Sequence, residues 1–179
     1  MKHITKNNKK QFGFSILEVM AAITIIVIGL VGVLALVNQN IQAQAVNRNM
    51  LIASQLAQEG LELVRNKRDK NWLVSGNDWK IGAGAETESD IVQDLTYTID
   101  YSGVIAGGAN NIDDSRVNLK INTSSFYEHT NGTPTIYYRL ISITEDPQDN
   151  WIEVNSRVQW KERAGSKDYT ASTLLYNWR

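Results

Sequence analysis

The sequence predicts an α+β protein. A long N-terminal α-helix, membrane-spanning in its first half and amphipathic in its second, packs on a C-terminal antiparallel β-sheet. Three observations predict this. Phe14 to Val37 is an apolar run interrupted by one charge, Glu18. Apolar residues then recur at helical spacing from Val46 to Val64. Beyond Ser89 the period becomes two, in short runs separated by turn residues. The chain of 179 residues is long enough for one domain plus an anchor.

The apolar run comes first. As a helix, Phe14 to Val37 is roughly 36 Å long at about 1.5 Å per residue. A bilayer's hydrocarbon core is about 30 Å thick, so the run spans one with some tilt. Lys2, Lys6, Lys9 and Lys10 precede it, with no acidic residue before Glu18. That bias holds the N-terminus in the cytoplasm and sends the rest outward. Between Lys10 and Arg48, Glu18 is the single ionisable side chain. A charge at mid-helix costs roughly 2.5–3.5 kcal/mol on insertion scales and marks function when it persists. The plainer role for Glu18 is to complement the macrodipole at a helix start, worth about 0.3–1 kcal/mol.

The helical pattern continues past the membrane. Val46, Met50, Ala53, Ala57, Leu61 and Val64 form a stripe that Ile52, Leu56 and Leu63 widen. Gln55, Gln58, Glu59, Glu62 and Arg65 lie outside it. Lys67 and Arg68 suit a helix C-terminus, and the helix is expected to end near Asp69. No proline interrupts Phe14 to Asp69, so one helix of some 80 Å is allowed. Gly29 and Gly32 are its soft points, or small residues that ease helix contact in the membrane. The expected organisation is a leader over 1–13, a transmembrane half over 14–37, an amphipathic half over 38–69, and a loop with sheet over 70–179.

The sheet runs follow a Gly-bearing stretch to Ser89. Leu95, Tyr97, Ile99 and Tyr101 alternate with polar residues. Val117, Leu119 and Ile121 do the same, as do Ile152, Val154, Val158 and Trp160. Tyr137 to Thr144 and Tyr169 to Trp178 are further runs. Turns are expected at Gly103 to Asp114, Thr130 to Pro134, Glu145 to Asn150 and Glu162 to Lys167. Such alternation signals an antiparallel sheet with one wet face, and the dry face should lie on the helix stripe. Trp160 fits a core position and Trp178 an exposed one.

The search for chemistry returns little. There is no Cys, which excludes disulfides and thiolate chemistry. His129, beside a turn, reads as a solvated surface residue. No nucleophile elbow, P-loop, dinucleotide fingerprint or metal-binding His pair is present. Asp113-Asp114 and Glu145-Asp146 with Asp149 could hold Ca²⁺ through carboxylates, but neither has EF-hand spacing. Asn122-Thr123-Ser124 and Asn131-Gly132-Thr133 match a glycosylation acceptor pattern common by chance. Formal charge is −1, and loss of the four leader lysines leaves a more acidic chain, so charge gives no case for nucleic acid. No cofactor and no catalytic residue is implied.

The stretch Lys9-Lys10-Gln11-Phe12-Gly13-Phe14-Ser15-Ile16-Leu17-Glu18, followed by the apolar span, resembles the processing site of type IV pilins and pseudopilins. The resemblance implies cleavage between Gly13 and Phe14 by a prepilin peptidase, N-methylation of Phe14, and a filament-assembly role for Glu18. Other pilin subunits, the peptidase/methyltransferase and a pilus or secretion assembly machine are the implied partners. The implied location is the bacterial cytoplasmic membrane, then a surface or periplasmic filament. Phe14 and Glu18 are four residues apart, which on a helix places the new amine and the carboxylate on one face. Leu56 to Trp72 is similar to minor pilins of the PilV-like kind, in which this helix end runs into Asn-Trp. Many pilins carry a C-terminal disulfide; this chain has no cysteine for one.

Two other readings fit parts of the sequence. One is a single-pass surface protein that never polymerises. The other is a Sec-secreted β-rich binding domain, for which Ala43-Gln44-Ala45 would supply the cleavage site. Against the latter, Val19 to Val37 exceeds the roughly 7–15 apolar residues of such a signal, and Glu18 is out of place in it.

Overall fold

The computed structural model describes residues 13–74, 79–80, 96–101, 105–107, 111–148, 150–162 and 165–177. The chain divides into two compact units, Met1–Val46 and Asn47–Arg179. Helix α1, Ile16–Leu73, runs through both.

In the first unit, Gly13, Phe14 and Ser15 are non-helical and α1 begins at Ile16. Every described residue of this unit is exposed. The helix satisfies its own backbone, and Thr24 does the same for its hydroxyl by donating to the Met20 carbonyl at 2.8 Å. Within the described residues of this unit, the apolar side chains have no cover.

In the second unit, α1 buries Ala53, Leu56, Ala57, Gly60, Leu61, Val64, Lys67, Arg68, Asn71 and Trp72. The expected stripe holds from Ala53 onward, but Val46 is 38% exposed and Met50 50% exposed. The sheet's cover stops one turn earlier, at Asn49. There the Tyr137 hydroxyl donates to Asn49 Oδ1 at 3.3 Å. At the other end α1 runs to Leu73, past the expected stop near Asp69. Tertiary contacts carry the extra turn: Asn71 Nδ2 donates to the Trp79 carbonyl at 2.9 Å. Trp72 stacks on Trp79 with centroids 6.5 Å apart. The Arg68 guanidinium lies 4.4 Å from the Trp72 ring centroid, so Arg68 is a packing residue as well as a charge at the helix end.

The sheet contains β1 (Thr96–Ile99), β2 (Ile105–Gly107), β3 (Asn118–Ile121), β4 (Tyr127–Glu128), β5 (Thr133–Glu145), β6 (Trp151–Glu162) and β7 (Gly165–Tyr176), all antiparallel. A short 3-10 turn, Ser115–Val117, leads into β3. The expected runs are present, with β2 and β4 in addition. Strand β5 starts at Thr133, inside the expected turn, and β7 starts at Gly165. Gly132 has φ +114°, and a Cβ there would meet the Ile121 carbonyl oxygen at 2.4 Å, so this turn requires glycine. Leu95 and Trp178 lie outside the described residues, as does most of the loop between α1 and β1.

Strand β5 organises the sheet. One edge pairs with β6 from Tyr137↔Trp160 to Glu145↔Ile152. The other edge forks. Its start pairs with β3, up to Asn118↔Tyr138, and its end with β1, at Ile141 and Ser142. On the face toward α1, β5 presents Tyr137, Arg139, Ile141 and Ile143, all buried. They join two apolar clusters, one around Leu61, Val64, Ile99 and Val154, the other around Ala53, Leu56, Leu119, Val158 and Trp160.

Arg139 is fully buried between them. Its guanidinium donates to the Leu56 carbonyl at 3.1 Å and to the Ile99 carbonyl at 2.6 Å. It also lies 3.4 Å from Glu59 Oε1. Burial pushes its pKa down, and the Glu59 carboxylate pushes back. One side chain thus ties a helix carbonyl to a strand carbonyl across the core. Gly60, one turn beyond Leu56, allows the approach. A Cβ on Gly60 would lie 2.5 Å from Ser156 Oγ, 2.9 Å from Ile141 Cδ1 and 3.3 Å from Arg139 Cδ.

Gly60→Val should therefore destabilise the full-length protein by about 2–3 kcal/mol, through overpacking and helix propensity together. Gly29→Val, in open space on the same helix, should change stability by less than about 0.5 kcal/mol, as surface substitutions do. Urea unfolding in one detergent, followed by tryptophan fluorescence, checks the pair. Equal shifts would contradict the close helix–sheet approach at Gly60.

Candidate functional site

The candidate site is the N-terminal segment around Gly13, Phe14 and Glu18. Gly13 and Phe14 are exposed and outside the helix, with Phe14 82% exposed. A Cβ built on Gly13 meets nothing within 4 Å. Nothing among the described residues therefore demands glycine at that position. The peptide bond between Gly13 and Phe14 lies outside the helix, between two exposed residues, where its backbone is not held by helical hydrogen bonds.

Ser15 begins the helix. Its carbonyl accepts from the Glu18 and Val19 amides at 3.0 and 3.2 Å. Ser15 holds the N-cap position and Glu18 the third helical position, the spacing of a capping box. Glu18 is the acidic residue of the first turn, where it complements the macrodipole. The shared helix face predicted for Phe14 and Glu18 is not formed here, because Phe14 precedes the first helical residue. That expectation concerns a chain that begins at Phe14, whereas in the full chain Phe14 precedes the helix.

From Ile16 onward α1 is long and apolar enough to cross a membrane, with a window of mean hydropathy 2.9 that is 0% buried. The exposed apolar side chains include Ile16, Leu17, Ile25, Ile28, Leu34 and Ile41. A patch this large is not left against water. Gly29 and Gly32 also meet nothing within 4 Å, so close approach by another helix is sterically open at both.

The remaining sequence candidates resolve differently. His129 is not a solvated surface residue: it is 9% exposed and follows β4 at the fork in β5. Its amide donates to Asp100 Oδ2 at 3.2 Å. Burial, and then the Arg139 charge, lower the imidazole pKa to about 4, so the ring is neutral at physiological pH. Its nitrogens lie near the Asn118 and Ile99 carbonyls without hydrogen bonds of good geometry. The sequence missed this burial because it arises from strands distant in the chain.

The acidic turns are occupied by the chain's own donors. Asp114 holds Arg116 through both carboxylate oxygens, and the side-chain hydrogen bonds from Arg116 lower its pKa. Glu145 pairs with Lys80, and Asp146 Oδ2 accepts from the Asn150 amide and side chain. Asp149 lies outside the described residues. Among the described residues, no group of three or more His, Asp or Glu side chains could hold a metal ion. Asn122 uses its side chain internally, accepting from the Ser124 and Phe126 amides and donating to Tyr101.

Residues 8–34 match the prokaryotic N-terminal methylation motif, the motif of type IV pilin-like prepilins. The match begins in the lysine-bearing N-terminal segment, crosses Gly13, Phe14 and Glu18, and ends within the apolar half of α1. It does not reach Leu56 to Trp72, so the PilV-like resemblance of that segment stands on the sequence alone. No curated protein and no solved structure matches the chain.

Because Gly13 is free of internal contacts, its substitution separates folding from processing. Gly13→Leu should leave the unfolding midpoint of the protein unchanged while blocking removal of residues 1–13 in cells that contain a prepilin peptidase. Immunoblotting of precursor and product, beside a thermal melt of each variant, makes the comparison. Unimpaired cutting of the leucine variant would remove Gly13 from the site.

Proposed function

We propose that the chain is the precursor of a type IV pilin-like structural subunit. It is held in the membrane by α1, cleaved after Gly13, N-methylated at Phe14 and assembled into a surface or periplasmic filament. The observation that carries this reading is the methylation motif at residues 8–34, which runs into a helix whose apolar half has no cover among the described residues of its own unit.

The chemistry is that of burial and pairing. Cleavage turns the Phe14 amide into a cationic amine. Once the leader is gone, Phe14 can extend the helix and bring that amine onto the face of Glu18. In a filament, apolar halves from neighbouring subunits cover one another and exclude water. A carboxylate there is stable only if paired, and the partner available at the same depth is the amine of an adjacent Phe14. Glu18 then fixes the register in which subunits stack. The partners are other pilin subunits, the prepilin peptidase and methyltransferase, and an assembly machine in the cytoplasmic membrane.

A second reading is a single-pass anchor that never polymerises. It is favoured by the capping spacing of Ser15 and Glu18, which gives the carboxylate a role inside one chain. The two readings differ at Glu18. Under the filament reading, Glu18→Ala is cut and inserted normally but enters filaments poorly. The adjacent amine is then buried unpaired, at a cost of about 3–5 kcal/mol per contact. Glu18→Gln should rescue little, since it restores shape without charge. The ratio of sheared filament to membrane pool at matched expression is the measurement. A wild-type ratio for Glu18→Ala would leave Glu18 as a helix-start residue and favour the anchor.

A further inference from the structure

Directly beyond the apolar span, α1 carries Asn38, Gln39, Asn40, Gln42 and Gln44. These are uncharged amides on about 10 Å of helix, close to two turns, so they ring it on every side. All five are exposed, and none makes a side-chain hydrogen bond among the described residues. From Val19 to Asn47 the chain carries no charge.

Neither of two simple surroundings accounts for this collar. A helix that only anchors is held at the outer membrane face by Trp, Tyr, Lys or Arg at headgroup level. Residues 38–47 contain none of these. A helix face in water ordinarily carries charged residues as well as polar ones, and this one carries no charge. Amides fit a third surrounding. Each Asn or Gln side chain offers both donors and acceptors. It therefore pairs with another copy of itself, where a charge would repel its copy. Asn and Gln side chains hydrogen-bond between helices packed in a membrane. Lys2, Lys6, Lys9 and Lys10 give every inserted copy the same orientation. Parallel copies then hold their amides at one depth, in register without any further device.

We infer that residues 38–44 are a docking surface for a second copy of this chain. Two parallel α1 helices join there through amide–amide hydrogen bonds, where the apolar span ends. The contact rests on the membrane placement in the proposed function. It needs none of the later steps, because it forms in the uncut chain.

The chain has no cysteine, so a single introduced cysteine reports contact between copies. Asn38→Cys, Gln39→Cys, Asn40→Cys, Gln42→Cys and Gln44→Cys are made singly in the full-length chain. Membranes from cells that lack a prepilin peptidase are oxidised with copper phenanthroline, and disulfide-linked dimer is measured. Linking should peak at positions three or four residues apart. It should be about tenfold stronger there than for Thr170→Cys, exposed on β7. At the strongest position, alanine in place of the other four amides should weaken linking about five- to tenfold, the loss of two interhelical hydrogen bonds. Alanine favours the helix, so α1 persists in that variant. Linking no stronger than for Thr170→Cys, or unchanged by the alanines, would overturn the docking surface. An alkaline carbonate wash separates this result from failure of the membrane placement. Release of the protein would overturn both, whereas protein that is retained but unlinked overturns the docking surface alone.

Discussion

The constraint on which everything else depends is the uncovered apolar surface of the first helical unit. Backbone hydrogen bonding inside α1 is complete without help. The described side chains from Phe14 to Val46 are all exposed. Burying such groups yields roughly 25 cal/mol per Å², so they favour an apolar environment such as lipid chains, and under the proposed function the packed helices of neighbouring subunits. The same constraint gives Glu18 its meaning. A carboxylate is unremarkable in water at a helix start, but in an apolar packing it must find a cation. Under the proposed function, cutting the Gly13–Phe14 bond would make one available four residues upstream.

The globular unit meets a different constraint. It has no disulfide to close its sheet, so its C-terminal strand is held by the continuous β6–β7 ladder from Trp151↔Tyr176 to Glu162↔Gly165. Its helix is held by close approach. Ala53, Ala57 and Gly60 offer small surfaces to the sheet, and Arg139 reaches through the gap to two backbone carbonyls. A buried guanidinium is a weak source of stability, since desolvation opposes its contacts. Its geometry nevertheless specifies one register between helix and sheet.

The same forked edge of β5 explains what was legible in the sequence. The helix was, because its signals are local and periodic: the apolar run, the small and apolar stripe from Ala53 to Val64, and the absence of proline. Strand β6 was, because its alternation is nearly unbroken. The helix end was not, because Asn71 and Trp72 are held by Trp79 and not by propensity. Arg139 carried a signal that could have been read. It shares the parity of Tyr137, Ile141 and Ile143, which places it on the dry face, while Leu140 falls on the other. Gly60 on the apolar stripe was the matching clue. His129 carried none, since its burial follows from where β1 and β3 part along β5. At the N-terminus, the methylation motif was plain as a pattern. The helix start at Ile16 was not, because the apolar pattern runs on through Phe14 and carries no local signal that separates it from the helix.

The central claim is that the functional form of this protein is made by cutting at one bond. Intact-mass and N-terminal analysis of the mature protein, isolated from cells that contain a prepilin peptidase, addresses it directly. The expected result is a chain that begins at Phe14 and carries one methyl group on its amine. A chain that still begins at Met1, or one that begins at Val46 after cleavage by a signal peptidase, would contradict it.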